Sequence, residues 1–526
     1  MRKTLLLFIL IALLPALSHA DDVDDRLLRF RQLYRTDVSQ AFKQLRPVDD
    51  PRIVDELAKV YKEKGGPYSL ADVTIITAKG QKVFDRIHSY VSTVNAESVR
   101  TSFVKALGKL AKPESLDVIL RYVERERSEA VQYQMVIALA SYSGTRVYDA
   151  LFSVALKSQA YTVSLKATTT LSQYKAKKAA KLLKSIYNKG RLPEGVRAEA
   201  LFGLLKHKLL PLKELVEDGL EFNSGPILMT AIDGAAKLKL VSAASRLIQL
   251  LRHRKWQVRL AAINACGAIR LTEAVEPLIE LWKREDGRLG EDIHAALLKI
   301  TGKSFGPLWQ AWESWFEGLE EPLEPADKAG EYISYHGTKT RSKNICFCID
   351  TSGSMSSKVK DHTGGYVGEG ETVEEMTRLE MVKLELIRVV KSLPRDAYFN
   401  IIAFETNLHE WRDKQTRASR RAKSEAESWI RSLNHTGGTN MYDAIIEALG
   451  QGKKDYRKLP DTMFVLSDGT PAMQGFESRD EMLADIARRN RLSRVKIHTI
   501  GVGISAENFL KPLAEQNEGV YRLAAE

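Results

Sequence analysis

From Asn344 onward, short apolar runs alternate with longer stretches whose apolar residues recur every three or four places. The runs 344–349, 397–404, 408–411, 462–466, 496–502 and 519–523 read as strands, and the stretches 377–392, 417–433, 441–451, 479–490 and 506–515 as helices. Such alternation predicts an α/β, doubly wound, mostly parallel sheet covered on both faces. Tyr332 to Tyr335 has strand character and is expected to add an edge strand ahead of Ile345. Upstream the rhythm changes to a repeat. Val99, Val131, Val163, Val196, Ile227, Val258 and Ile293 follow one another at steps of 32, 32, 33, 31, 31 and 35, with an apolar residue four places after each. Seven places after come Ala106, Ala138, Thr170, Gly203, Gly234 and Ala265, so a small residue shares a helical face with the anchor in six units. A period of this length fits two helices and their turns. No such unit buries its apolar face alone, so the units are expected to stack as an α-solenoid. The seventh unit, with Ile300 at the small position, reads as a terminal cap, closed by the helix bearing Trp309, Trp312 and Trp315.

The chain is therefore expected to divide into a leader at 1–20, a helical cap or degenerate repeats at 21–98, repeats at 99–316, a linker at 317–330 and the α/β domain at 331–526. Arg2 and Lys3 precede an apolar stretch from Leu5 to Leu14, and Ser18-His19-Ala20 offers small residues at the two positions a signal peptidase reads. This predicts an exported protein, periplasmic or extracellular, with no transmembrane segment in the mature chain. Residue 21 is Asp, which argues against a lipid anchor on cysteine. Cys266, Cys346 and Cys348 are too few to hold a long exported chain by disulfides and read as inert buried thiols. Net charge is +12, and the excess lies upstream: residues 21–340 hold 49 Lys+Arg against 40 Asp+Glu, residues 341–526 hold 28 against 27. Outside the cytoplasm that favours an anionic envelope polymer such as a polysaccharide, lipid headgroups or an acidic protein surface, and no nucleic acid is expected.

The candidate chemistry lies where the strands stop. Asp350, Ser352 and Ser354 stand in Asp-Thr-Ser-Gly-Ser-Met, Thr439 in Gly-Gly-Thr-Asn, and Asp468 in Ser-Asp-Gly. Buried parallel strands ending at Asp350 and Ser467 deliver both carboxylates to one edge of a sheet. Two carboxylates and three hydroxyls form an all-oxygen set suited to a hard divalent cation. The set resembles the metal-ion-dependent adhesion site of von Willebrand factor type A domains, with all five positions filled, and Lys496 to Gly503 looks like that family's fifth strand. The upstream pattern resembles short bacterial HEAT repeats. The resemblance implies a strand order 3-2-1-4-5-6 and a cofactor of Mg2+ or Mn2+, ahead of Ca2+. It also implies an open metal position for a Glu or Asp side chain of a protein partner. Gly437 and Gly438 are expected to let the loop before Thr439 pass close to the ion.

One departure from the family is the stretch 356–376, rich in Gly, Lys and Glu, which must sit beside the site and either covers or supplements it, or is a surface loop. No catalytic set emerges. His362 and His435 are near the rim by chain order only, Glu405 is the nearest candidate base, and Gly302-Lys303-Ser304 lacks the earlier glycine and the strand of a phosphate loop. The chain thus reads as a metal-dependent protein-binding or scaffold protein, not an enzyme. The alternative makes the basic repeats the binding part and the ion structural. An AAA+ ATPase partner and a metal-dependent hydrolase are weaker alternatives. The sequence does not set the oligomeric state.

Overall fold

The computed structural model describes residues 22–526, apart from 47–48, 64–65, 67, 78–79, 94, 224, 286, 319–331, 359–375, 451–458, 474–475, 477, 503–505 and 525–526. The expected leader, most of the linker and most of the 356–376 stretch, with His362, lie outside the described residues. Contacts divide the chain into two compact units, one ending at Gly234 and one beginning at Ala235. Among the described residues no helix is long and apolar enough to cross a membrane.

The first unit is helical. The repeat anchors Val99, Val131, Val163 and Val196 each sit third in a helix (Glu97–Leu110, Glu129–Leu139, Tyr161–Leu171, Glu194–His207) and are fully buried. Each helix is preceded by a partner: Gln81–Thr93, Pro113–Tyr122, Thr145–Lys157 and Lys177–Tyr187. The small seventh position does what its size predicts. A Cβ on Gly203 would lie 2.4 Å from the Ser172 side chain, and one on Gly108 would lie 2.8 Å from the Ala138 backbone, so neighbouring helices meet where the side chain is smallest.

Two periodic bonds were not legible in the sequence. The residue after each anchor donates to the carbonyl ending the preceding helix: Arg100 to Val91 (3.3 Å), Gln132 to Val123 (2.8 Å), Ser164 to Ala155 (2.6 Å) and Arg197 to Tyr187 (2.8 Å). Eleven places after the anchor, Tyr142, Tyr174 and His207 donate to the carbonyls of Leu107 (3.1 Å), Leu139 (2.9 Å) and Ser172 (3.0 Å) in the previous unit. Helix C-termini leave carbonyls short of donors, and these side chains supply one, at Leu107 and Leu139 beside the Ala111 and Tyr142 amides. Their chemistry varies from unit to unit, which hides the pattern from residue identity. Upstream, residues 38–93 form short helices that include Val38–Leu45, Arg52–Val60 and Tyr68–Thr77.

The second unit begins with the remaining repeats and continues into the α/β domain. Its helices Trp256–Ile269 and Arg288–Thr301 carry the last two anchors, and here the sequence register slips. Gly267 approaches Ala296, with its Cβ position 3.0 Å from the Ala296 Cα, as Gly108 approaches Ala138. The anchor equivalent to Val258 is therefore Leu289, not Ile293. The small residue is Ala296, and the unit keeps the pattern instead of breaking it. Trp312 is fully buried and packs edge-on against Phe305 at 5.0 Å, in the closing helix Trp309–Phe316. Cys266 is buried in the repeat, and burial pushes its thiol up to about 12.

Among the described residues nine strands follow: β1 Ile333–Tyr335, β2 Thr338–Thr340, β3 Asn344–Asp350, β4 Tyr398–Phe404, β5 Leu408–Glu410, β6 Thr416–Arg417, β7 Thr462–Ser467, β8 Lys496–Val502 and β9 Tyr521–Ala524. The main sheet runs β5-β4-β3-β7-β8-β9, the expected 3-2-1-4-5-6 order, with β6 also pairing β4. β3, β4, β7, β8 and β9 are parallel, while β5 and β6 run antiparallel to β4. Phe347 and Phe464 stack at 5.8 Å on one face, covered by the helices Arg378–Ser392 and Arg420–Ser432. Cys346 and Cys348 point to the other face with Met441–Ala448, Arg479–Ser493 and Glu507–Gln516. β1 does not join the sheet as an edge strand. His336 and Gly337 both take positive φ (43° and 74°), a two-residue turn that folds β1 onto β2 as a separate hairpin. Tyr335 then packs edge-on against Phe347 at 5.3 Å and Phe464 at 5.4 Å.

Candidate metal centre

β3 leaves the sheet towards β4 on one side and is bordered by β7 on the other, so the order reverses between β3 and β7. Ligands bind at such a switch point, beyond the carboxyl ends of the strands. Asp350 ends β3, and Asp468 follows β7 directly. Both are buried, with 0% and 2% of their surface exposed. Beyond Asp350 the chain turns through a short 3-10 segment, Gly353–Ser356, anchored by the fully buried Met355.

Four of the five expected ligands meet. Asp350 Oδ1 accepts from the Ser352 amide at 2.7 Å, and its Oδ2 accepts from the Ser467 hydroxyl. The Ser352 and Ser354 hydroxyls are 3.1 Å apart, and Ser354 donates to Asp468 Oδ1 at 2.7 Å. The fifth, Thr439, is half-buried in a loop pinned to the same turn. Thr436 N–H donates to the Thr351 carbonyl (2.9 Å), Gly353 N–H to the Gly437 carbonyl (3.1 Å), and Ala472 N–H to the Thr439 carbonyl (2.9 Å). Thr439 is thus tied in through its backbone, between the β3 turn and the segment after Asp468. Gly437 has φ 65°, and a Cβ there would lie 2.2 Å from a Glu405 oxygen, so glycine is required. Gly438 has ordinary space around it, so its place in the expected glycine pair has no steric cause.

Burial is the main influence on Asp350 and pushes its carboxyl up to about 6, against the Ser352 and Ser467 donors that lower it. A buried carboxylate with that bias gains from a cation. Among the described residues no group of three His, Cys, Asp or Glu side chains converges, so an ion here would depend on the hydroxyls and on water to complete its shell. The donor set fits a hard cation such as magnesium or manganese, which retains waters, and suits thiolate-seeking metals poorly.

Two participants escaped the sequence reading. Ser467 was legible as a strand end but not as the donor to Asp350. Arg378 pairs with Asp468 Oδ2 at 2.8 Å from ninety positions away, and nothing in the sequence marks that contact. Glu405, the nearest candidate base, is turned back on its own loop. The Thr406 N–H, with the Asn407 side chain, holds its carboxyl down to about 2 and makes it a poor proton acceptor. His435 is exposed in the Thr439 loop. The ends of the 356–376 stretch meet beside the site, where Lys358 bridges Thr377 and Arg378 N–H donates to the Ser357 carbonyl at 2.9 Å.

The von Willebrand factor type A domain family matches residues 371–523, and the HEAT repeat family matches residues 223–297. The first match begins after Asp350, Ser352 and Ser354 and includes Thr439 and Asp468. Inter-alpha-trypsin inhibitor heavy chain H3 of Mesocricetus auratus is 26% identical over 198 residues, which cover 36% of this chain and 20% of that protein. Heavy chain H4 of Homo sapiens is 28% identical over 199 residues, covering 36% and 19%. The alignments thus span about a fifth of these curated relatives. A solved von Willebrand factor type A structure from Catenulispora acidiphila aligns with 19% identity and a TM-score of 0.27, over 36% of this chain and 40% of that one.

Proposed function

We propose that this chain, which carries a von Willebrand factor type A domain behind HEAT repeats, is an exported protein-binding or scaffold protein whose α/β domain grips an acidic partner through a divalent cation. The observation that carries this is the linked cluster of Asp350, Ser352, Ser354 and Asp468 at the switch point, with the Thr439 loop bonded to the same turn. When bound, Mg2+ or Mn2+ supplies a point of concentrated positive charge with an open position for a Glu or Asp of the partner. The chain's own residues do the rest. Asp350 and Asp468 hold the ion, the Ser352, Ser354 and Thr439 hydroxyls add neutral oxygens, and Ser467 orients Asp350. The type A domain and the inter-alpha-trypsin inhibitor relatives support a protein-interaction role. The leader-like residues 1–20 support export.

The test is capture of partners by the full chain, with and without EDTA, beside Asp468→Ala and Thr439→Ala. Capture should disappear with chelator and in both variants. Equal capture in excess EDTA would dismiss the metal-dependent reading.

A second reading gains support from the first unit. Between Asp149 and Glu194 there is no acidic residue, while Lys177, Lys181 and Lys184 form an exposed stripe on the helix Lys177–Tyr187. That face suits an anionic polymer held independently of the ion.

A further inference from the structure

Each of the four carboxylate oxygens of the site has a protein donor, and one donor differs in kind. Asp350 receives a backbone amide and the Ser467 hydroxyl, and Asp468 Oδ1 receives the Ser354 hydroxyl. Asp468 Oδ2 receives Nη1 of Arg378 at 2.8 Å. A serine hydroxyl has lone pairs as well as a proton, so it turns and becomes a ligand when a cation arrives. A guanidinium has five donors, no acceptor and a permanent charge. Held on Asp468 Oδ2, it brings a fixed positive charge to the carboxylate a divalent ion would use, and at contact distances in a partly buried site the two cations repel.

The geometry also says which partner moves. The Asp468 side chain is fully enclosed, whereas 28% of the Arg378 side chain is exposed. Arg378 opens the helix Arg378–Ser392, and its backbone is fixed there. Thr377 and Glu380 form a reciprocal cap, and Arg378 N–H is bonded to the Ser357 carbonyl at 2.9 Å. The Glu380 carboxylate is engaged by Thr377 through both N–H (2.7 Å) and hydroxyl (2.8 Å). A displaced guanidinium would therefore swing at the mouth of the site on a fixed backbone. A bidentate carboxylate is the group its fork matches best.

We propose that Arg378 is the exchangeable counter-ion of this site: it neutralises Asp468 in the metal-free protein and, once the ion takes Asp468, turns to receive the acidic group of the partner. The proposal rests on the metal-dependent reading above and deepens it. It makes the cation and the partner carboxylate bind cooperatively, because each relieves a cost imposed on the other. A lone cation binds against the Arg378 charge, while a cation arriving with a carboxylate gives the guanidinium a new partner.

The experiment is calorimetric titration of Mn2+ into the full metal-free chain, for wild type, Arg378→Ala, Arg378→Gln and Arg378→Lys, each with and without acetate as the carboxylate probe. Circular dichroism of each variant establishes that it is folded. The neutral variants should bind Mn2+ at least roughly tenfold more tightly than wild type, since a competing charge has gone. Arg378→Lys should stay near wild type in Mn2+ affinity, because it keeps the charge, and should lose part of the acetate effect, because it lacks the fork. Acetate should tighten Mn2+ binding by wild type more than by the neutral variants, which keep only its contact with the ion. Equal or weaker Mn2+ binding by folded Arg378→Ala would overturn the exchange and leave the metal-dependent reading standing. No Mn2+ binding by any form, wild type and Asp468-intact variants alike, would overturn that reading and the exchange with it.

Discussion

His498 shows how closely single residues set the conditions under which this molecule stays folded. It lies in β8, 4% exposed, and its Nδ1 accepts the Val520 amide at 3.1 Å, so the ring proton sits on Nε2, which is buried without a hydrogen-bond partner. The ring stacks on Phe464 at 5.0 Å. Burial, followed by the nearby Lys496 and Arg288 charges, holds its pKa down to about 4 against an ordinary 6.5. The unfolded chain therefore takes up a proton below pH 6.5 that the folded chain refuses until about pH 4. Stability is fully present above 6.5 and drains away across that window, by about 3 kcal/mol from this group. All seven tryptophans lie beyond Ala235, so tryptophan fluorescence reports unfolding of the second unit alone. Urea midpoints followed this way should fall between pH 7 and pH 4 less steeply in His498→Phe than in wild type. The lost acceptor for Val520 adds an offset of about 1 kcal/mol that does not vary with pH. Parallel curves would show that His498 is not the titrating group. At this scale Asp350, Ser352, Ser354 and Asp468 were legible because strand ends fix where such residues go. Arg378 was not, because a contact across ninety positions leaves no local trace.

At the scale of elements, the helix Arg288–Thr301 is fastened to the α/β domain by its first residue. Arg288 is 2% exposed and donates through Nη1 to the carbonyls of Asp461 and Arg494, which precede β7 and β8. Its Nη2 reaches Glu518 at 3.3 Å, its Nε lies 3.4 Å from Asp292, and its guanidinium sits 5.8 Å from the Trp256 ring. The last repeat is thus bonded to the amino-terminal ends of the strands, the edge opposite the candidate metal centre. Truncation would take a donor from both carbonyls and leave the buried Asp292 with Lys496, 4.0 Å away, in place of the adjacent guanidinium. Arg288→Ala should destabilise the second unit by about 3 kcal/mol, and Arg288→Lys should recover little, because a single ammonium cannot bridge two carbonyls and a carboxylate. Urea unfolding by tryptophan fluorescence checks both. A change within about 0.5 kcal/mol would mean the fastening lies in the surrounding apolar contacts. The strands and helices of the domain were readable because apolar period and burial agree along each one. The seventh repeat misled because Ile293 is as apolar as Leu289 one turn earlier, and only the approach of Gly267 to Ala296 fixes the register. The hairpin of β1 and β2 misled because a four-residue strand pattern carries no sign of its partner.

Across the whole molecule, charge is distributed so that two kinds of binding can be told apart. The α/β domain is nearly neutral and concentrates its chemistry in one small site, whereas the repeats carry the net positive charge. A metal-held carboxylate is a short-range contact in a partly buried site, which salt screens weakly, and it ends when the ion is removed. The lysine stripe is exposed, so its attraction to a polyanion falls as ionic strength rises and is indifferent to chelator. In the stripe, Lys177, Lys181 and Lys184 are exposed and point away from the buried Leu183 and Ile186, so charge reversal there leaves the packing of the helix untouched. The triple change Lys177→Glu, Lys181→Glu and Lys184→Glu in the full chain, titrated with dextran sulfate, should lower affinity at least roughly tenfold at low salt. The difference should shrink near 0.5 M salt, where the screening length falls to about 4 Å. Asp468→Ala should bind the polyanion as wild type does. If the triple variant binds equally well at low salt, the stripe is a solvated helix face, and the candidate metal centre remains as the proposed recognition surface.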